Sequence, residues 1–89
     1  MADTWKERMA EKKRTERKVK RTKERAEGGD GYAMYSLGVW YEQGKFDLEE
    51  DNAEAYRWYK KSADAGHVMG IAAVGFSLMI GLGVEKDHY

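Results

Sequence analysis

The 89-residue chain has no cysteine and no proline. Without cysteine it can form no disulfide bond, no thiolate metal site and no thiol nucleophile. Without proline, the breaks between its elements depend on its ten glycines, a residue that is common at helix ends. A chain of this length forms one small domain at most, with a limited hydrophobic core.

Net charge is also missing, but the neutral total is the sum of two opposite halves. Residues 1–27 contain eleven Lys or Arg and six Asp or Glu, whereas residues 28–89 contain five and ten. The first segment therefore carries about +5 and the second about −5. The first twenty residues contain no apolar run, so no secretory signal is predicted. We expect a cytoplasmic protein, with nuclear import through the basic segment as the alternative.

Sequence signatures of catalysis are absent as well. His67 and His88 are the only histidines, and neither has a carboxylate or a histidine at ligand spacing on a clear helix face. The sequence contains no nucleophile elbow and no phosphate-binding glycine loop. Solvation and helix capping explain the acidic run at 49–51 better than cation binding does. We predict a protein that is not an enzyme and that holds no metal and no cofactor.

The best-defined element is the stretch from Asp51 to Gly66, which predicts one capped helix. Asp51 and Glu54 have the spacing of a capping box, and Gly66 follows the last periodic residue, where a left-handed position favours glycine. Trp58 and Ser62 lie at the edge of an apolar stripe with a period of 3.6 residues, formed by Ala55, Tyr56, Tyr59 and Ala63. A helix of this length cannot bury the stripe alone, so it needs neighbouring helices.

A second stripe occurs in residues 32–43, and a glycine interrupts it. A glycine inside a helix costs about 1 kcal/mol against alanine. We therefore predict that a neighbouring backbone approaches Gly38 closely, near Ala55. The sequence then repeats, because residues 29–44 align with residues 66–81 at a constant offset of 37. A fixed period of this length with paired helices is typical of an α-solenoid.

Residues 3–27 predict a long basic helix, since they contain no glycine and consist mostly of good helix formers. We expect this helix to be solvated and to dock at its N-terminal end through Trp5 and Met9, or to dock on the acidic loop at 47–54. Its density of Lys and Arg also suggests nucleic-acid binding, although interleaved glutamates weaken that interpretation.

A further alternative concerns residues 68–84, which contain no charge and lie at the short limit for a membrane-spanning helix. A small protein with a C-terminal membrane anchor is therefore conceivable. The repeat register of the segment and its glycines at 81 and 83 favour a repeat helix instead.

The repeated residues resemble the Sel-one-like repeat (SLR), a tetratricopeptide-like (TPR-like) helix-turn-helix unit. The first unit matches the family pattern at Ala33, Leu37, Gly38, Tyr41, Gly44, Asp51, Ala55, Trp58, Tyr59, Ala63 and Gly66. The second unit matches through Gly75, Gly81, Gly83, Val84 and Asp87. It departs from the pattern at Gly70, Val74 and Leu78. The resemblance covers residues 30–89 and leaves residues 1–27 unexplained.

This resemblance implies an all-α fold, a fragment of a TPR-like α-solenoid with about one and a half repeats of antiparallel helix pairs. The repeat helices are expected near 31–43, 52–65 and 68–80. The chain would divide into a charged, basic N-terminal helix at 1–27, a complete repeat at 30–66 and a partial second repeat at 67–89. The residues expected to pack the repeats together are Ala33, Leu37, Gly38, Tyr41, Ala55, Trp58, Tyr59 and Ala63.

The resemblance also implies a non-catalytic scaffold or adaptor for protein–protein interaction. In TPR-like units the first helix of each pair lines the concave surface, which usually carries the peptide contacts. With Gly38 and Gly75 at the packing position, the candidate partner-binding residues are Tyr35, Val39, Glu42, Ala72, Phe76 and Met79. Each of them could equally pack against a neighbouring helix. The expected partner is a protein or peptide on the concave face, or a second copy across the uncovered last helix.

Overall fold

The computed structural model describes residues 4–83, and these form four α-helices with no strand among them. The helices are α1 (Thr4–Glu27), α2 (Gly31–Gln43), α3 (Asn52–Asp64) and α4 (Val68–Ile80). The all-α, TPR-like fold is thus confirmed, and α3 ends one residue before the predicted boundary at 65. The matches at Val84 and Asp87, the histidine at 88 and the outer ends of the ranges 1–27 and 67–89 lie outside the described residues.

The helices pack in chain order, with α2 between α1 and α3, and with α4 against α3 and, less extensively, α2. The core is small and depends on close helix crossings. Leu37 of α2 and Ala55 of α3 are completely buried, and Ala33 meets Ala26 of α1. Small side chains at these crossings allow the helices to approach one another closely, which suits a chain of limited size.

The start of α3 forms only half of the predicted capping box. The Asp51 carboxylate accepts a hydrogen bond from the backbone amide of Glu54, at 3.0 Å. The reciprocal bond is absent, because the Asp51 amide donates to the carbonyl of Tyr41, at 2.9 Å, and the Glu54 side chain pairs with Arg57. The amide of Asp51 therefore ties the start of α3 to the end of α2.

The α1–α2 junction has the same backbone geometry as the α3–α4 junction. At the first junction, the amide of Gly29 (φ 99°) donates to the carbonyl of Ala26. The amide of the residue after Gly29 donates to the carbonyl of the residue five positions before it in the sequence. At the second, Gly66 (φ 82°) donates to the carbonyl of Ala63, and the following amide again reaches five residues back. Both are Schellman ends with glycine in the left-handed position. In the packing, α1 thus takes the place of the second helix of a preceding unit.

The prediction that α1 docks through Trp5 and Met9 is wrong. These side chains are 63% and 51% exposed, whereas the buried residues of α1 are Val19, Thr22 and Ala26 in its C-terminal half. The reason is length: 24 residues of helix extend about 36 Å, but the 13 residues of α2 extend only about 20 Å. The N-terminal half of α1 therefore projects past the helix that covers its other half.

The acidic loop meets α1 through an aromatic contact. The ammonium group of Lys18 lies 4.6 Å from the ring centroid of Phe46, and that ring packs edge-on against Trp40 at 4.8 Å. Phe46 and Asp47 both have positive φ angles, 55° and 63°, which side-chain-bearing residues adopt only when their surroundings hold them there. The contact of Lys18 and Trp40 with Phe46 is such a restraint.

The close approach predicted at Gly38 occurs, but its partner is a side chain. A Cβ atom at Gly38 would overlap the ring of Tyr59, not a backbone near Ala55. A backbone does approach Gly70, where a Cβ would overlap the Ser62 side chain and lie 2.7 Å from the amide nitrogen of Ala63. By contrast, a Cβ at Gly75 would have no neighbour within 4 Å among residues 4–83, so no close approach at Gly75 occurs within this part of the chain.

None of the helices within residues 4–83 has the length and apolarity needed to cross a membrane. The segment from Val68 onwards forms the 13-residue helix α4, which ends at Gly81 in a left-handed conformation (φ 75°).

Candidate functional site

A groove of about 350 Å³ runs between α2 and α4, and α3 closes its base. The side chains that line it are Tyr35, Val39, Glu42, Gln43, Tyr59, Met69, Ala72, Ala73, Phe76 and Ser77. Five of the six predicted partner-binding residues belong to this lining. The sixth, Met79, does not, and it is 61% exposed.

The groove follows from helical periodicity on two neighbouring helices. Tyr35, Val39 and Glu42 occupy positions i, i+4 and i+7 of α2, which lie on one face of a helix. On α4, Met69, Ala72 and Phe76 occupy positions i, i+3 and i+7, which also lie on one face of a helix. Because α4 packs beside α2 in the same repeat register, the two stripes face one another across the groove.

A hydrogen bond from Tyr59 to Glu42 fixes the base of the groove. The phenol oxygen of Tyr59 donates to Oε1 of Glu42 at 2.7 Å, across the α3–α2 interface. Tyr59 is only 3% exposed, and Gly38 leaves the space that its ring occupies. Burial, and then the bond to the carboxylate, raise the pKa of the Tyr59 hydroxyl well above its ordinary value of 10.0. The phenol therefore remains a donor that orients the carboxylate.

Aromatic rings continue from this base towards the α3–α4 turn. The ring of Tyr35 lies 5.7 Å from Tyr59 on one side and 6.3 Å from His67 on the other. His67 in turn meets Tyr32 edge-on at 5.9 Å. Each such contact contributes about 0.5–1.5 kcal/mol in addition to the free energy gained from burying the ring surfaces. They fix the orientation of Tyr35, so that the groove is formed before any partner binds.

The chemistry available in the groove is that of a binding surface. Glu42 is the only charged side chain in the lining, and most of the remaining side chains are aliphatic or aromatic. Within residues 4–83, no group of three or more His, Cys, Asp or Glu side chains is arranged to hold a metal ion. A cleft with an apolar lining and one fixed polar group is typical of sites that accommodate the side chains of a partner.

The residues predicted to pack the repeats differ in how far the structure buries them. Five of them, Ala33, Leu37, Gly38, Ala55 and Tyr59, are buried, and Tyr41, Trp58 and Ala63 are partly buried. Sequence reasoning missed Ser62, which is completely buried and donates a 2.7 Å hydrogen bond to the carbonyl of Gly31. It also missed the groove residues Gln43, Met69, Ala73 and Ser77. The offset of 37 leads from the predicted stripe of α2 only to Ala72, Phe76 and Met79. Continuing the stripe of α4 by one turn before Ala72 would have identified Met69.

A second surface lies on α1, where a basic stripe runs along the exposed side. Two shallow depressions on this helix are lined by Lys6, Lys13, Arg14, Arg17, Lys18, Arg21 and Arg25, and neither includes an acidic side chain. Among these groups, Arg25 pairs with the carboxylate of Asp30, at 3.0 Å, and Lys18 contacts the rings of Trp40 and Phe46. The interleaved glutamates therefore occupy other positions around the helix, and the basic stripe is continuous along it.

Comparison with known proteins places these features in a family. Residues 31–67 and 68–89 match the Sel1 repeat. The chain belongs to the Sel1 repeat family. Sel1 repeats are generally protein–protein interaction modules, typically non-catalytic adaptors or scaffolds. The resemblance predicted from the sequence is thus confirmed, and the two matched units meet at the turn between α3 and α4.

Two curated proteins are similar to this Sel1 repeat chain. "Chitin synthase regulatory factor 2" of Schizosaccharomyces pombe is 39% identical over 59 residues, which are 66% of this chain and 12% of that protein. "ERAD-associated E3 ubiquitin-protein ligase component HRD3B" of Arabidopsis thaliana is 33% identical over 64 residues, 72% of this chain and 9% of that protein. The chain thus corresponds to a small part of either relative. No solved structure matches it with comparable significance.

Proposed function

We propose that the repeat helices act as a scaffold that binds a peptide or a helix from another protein in the groove between α2 and α4. The observation that carries the proposal is the composition of the groove. Five residues that the family resemblance offered as candidates, among them Val39 and Phe76, line a single cleft together with an oriented carboxylate. An interface of this kind gains its binding energy from a few apolar anchors in a cleft.

The relatives are consistent with this role. One is named a regulatory factor and the other a component of a ligase, so both names describe proteins that act together with other proteins. Because this chain spans only 12% and 9% of their lengths, we propose for it the binding function of the repeat and not their whole activities.

The experiment compares two substitutions on α4. Peptides are selected from a displayed random library against the 89-residue protein, and their Kd is measured by fluorescence anisotropy. Phe76, in the groove, is 52% exposed, and Ile71, outside the groove, is 54% exposed, so neither Phe76→Ala nor Ile71→Ala should unfold the protein. Loss of an interface anchor costs about 2 kcal/mol, so Phe76→Ala should weaken binding roughly 30-fold.

The control variant Ile71→Ala should bind with the affinity of the wild type. Equal losses in both variants would mean that the peptides bind the outer face of α4, and unchanged binding by Phe76→Ala would exclude the groove. Circular dichroism of each variant checks that the helices remain formed.

A second function, binding of nucleic acid through α1, is favoured by the continuous basic stripe. Lys and Arg side chains that neutralise phosphates give an affinity that falls steeply with salt, by about 0.9 logarithmic units per contact for each tenfold rise in salt. A labelled single strand and a labelled duplex, titrated at two salt concentrations, test this proposal. Binding should be lost in Arg14→Glu/Arg21→Glu and retained in Phe76→Ala. Binding that is insensitive to salt would contradict it.

A further inference from the structure

We propose that the groove selects a partner segment in which a Lys or Arg side chain lies beside an apolar one. In this proposal the Glu42 carboxylate binds the positively charged group of that Lys or Arg. This inference rests on the function proposed for the groove and specifies the chemistry of its partner.

The first argument is that the carboxylate is oriented before binding. Oε1 of Glu42 accepts the hydrogen bond from Tyr59, a side chain that is held by its burial and by its ring contact with Tyr35. Within residues 4–83, no lysine or arginine forms an ion pair with Glu42. The carboxylate has several acceptor sites, so it can still accept from a partner's ammonium or guanidinium group.

The second argument is the setting of this charge among apolar side chains. Phe76 and Met69 are 52% and 47% exposed, and they line the same groove as Glu42. A Lys or Arg side chain can pack its aliphatic stem on such a surface while its charged end reaches the carboxylate. A purely apolar segment would cover the carboxylate without bringing a positive charge to it, and an acidic segment would be repelled; both arrangements are unfavourable.

The third argument is charge complementarity over a longer range. Residues 28–89 carry ten acidic and five basic side chains. This part of the chain forms the groove, and its net negative charge attracts a basic segment. Such attraction raises the rate of association and adds to selectivity more than to final affinity.

The test is a displayed random-peptide library selected in parallel against the wild-type chain, Glu42→Gln and Glu42→Lys. Glutamine keeps an acceptor for the Tyr59 hydroxyl, so Glu42→Gln should preserve the fold, which circular dichroism verifies. We expect peptides selected by the wild type to be enriched in Lys or Arg next to aromatic or aliphatic residues. Glu42→Gln should bind these peptides roughly tenfold more weakly, with a smaller salt dependence. Glu42→Lys should select acidic peptides instead.

The outcomes separate this inference from the proposed function. Peptides that bind through Phe76 but show no basic preference, or that bind Glu42→Gln as tightly as the wild type, overturn the inference and leave the groove as a binding site. Failure to select any peptide that depends on Phe76 overturns both. Self-association that Glu42→Lys abolishes would assign the groove to a second copy of the chain, and would overturn the proposal of a foreign basic segment.

Discussion

Replacing Gly38 with alanine adds one methyl group at the crossing of α2 and α3, where it would overlap the ring of Tyr59. That ring cannot move freely, because it is 3% exposed and its hydroxyl is bonded to Glu42. Overpacking of this kind costs about 1–3 kcal/mol, and displacing the ring would also break the hydrogen bond, at about 1 kcal/mol. The higher helix propensity of alanine offsets about 1 kcal/mol of this.

The expected net loss for Gly38→Ala is thus about 2 kcal/mol, which for a domain of this size lowers the Tm by roughly 8–16 °C. Gly75→Ala is the matched control, because Gly75 holds the same position in the second unit but would have no neighbour within 4 Å of its new Cβ. Gly75→Ala should raise the free energy of unfolding by up to about 1 kcal/mol and the Tm by a few degrees. The larger Gly38→Leu should destabilise more than Gly38→Ala.

Thermal unfolding followed by circular dichroism, with urea unfolding as a check on the free energy, measures both variants. We predict that the change in Tm has opposite signs in the two variants, although both replace glycine with alanine. A rise in Tm for Gly38→Ala, or a fall of similar size for Gly75→Ala, would refute the argument that Gly38 is required by the ring of Tyr59.

Three further predictions concern the junctions and the exposed faces. Deleting residues 1–13 should leave the Tm nearly unchanged, because the side chains of residues 4–13 are all exposed. Deleting residues 1–27 uncovers the core at Leu37 and should abolish cooperative unfolding; equal Tm values for the two deletions would contradict this. The amide of Ala33, and then Arg25, lower the pKa of the Asp30 carboxyl below its ordinary value of 3.8, so its stabilising effect is complete above that value and is lost as the pH falls further. The Tm difference between wild type and Asp30→Asn should therefore shrink from about pH 5 towards pH 2, and a constant difference would contradict it. Because the outer face of α4 exposes Ile71 and Ile80 by 54% and 48%, the chain should self-associate at high micromolar concentration, and monomeric sedimentation would argue against this.

The sequence predicted the three repeat helices well because each has local signals for its ends. Asp51 precedes α3 and glycines end α2 and α4 in left-handed conformations, so the boundaries depend on short-range chemistry. The repeat offset of 37 then carried the positions of one unit to the next. This is why five residues chosen for the concave face turn out to line one groove.

What the sequence did not predict depends on contacts between helices. Gly38 and Gly75 are equivalent in the repeat, but within residues 4–83 only Gly38 faces a ring, and a Cβ at Gly75 would meet no atom within 4 Å. Gly70 looked like a departure from the pattern, yet it is a position where the backbone of α4 lies close to that of α3. The docked half of α1 was missed because Val19 and Ala26 are few and small, whereas the larger Trp5 and Met9 suggested the wrong end.

The central claim, that the groove between α2 and α4 binds a partner, is tested most directly by amide chemical shifts. A peptide selected against the chain is titrated into the isotopically labelled protein, and the shift changes are mapped along the sequence. The account predicts that the largest changes fall on the groove residues within 35–43 and 69–77, and that Phe76→Ala needs roughly 30 times more peptide to reach the same changes. Changes concentrated on the basic stripe of α1, with the groove unaffected, would contradict it.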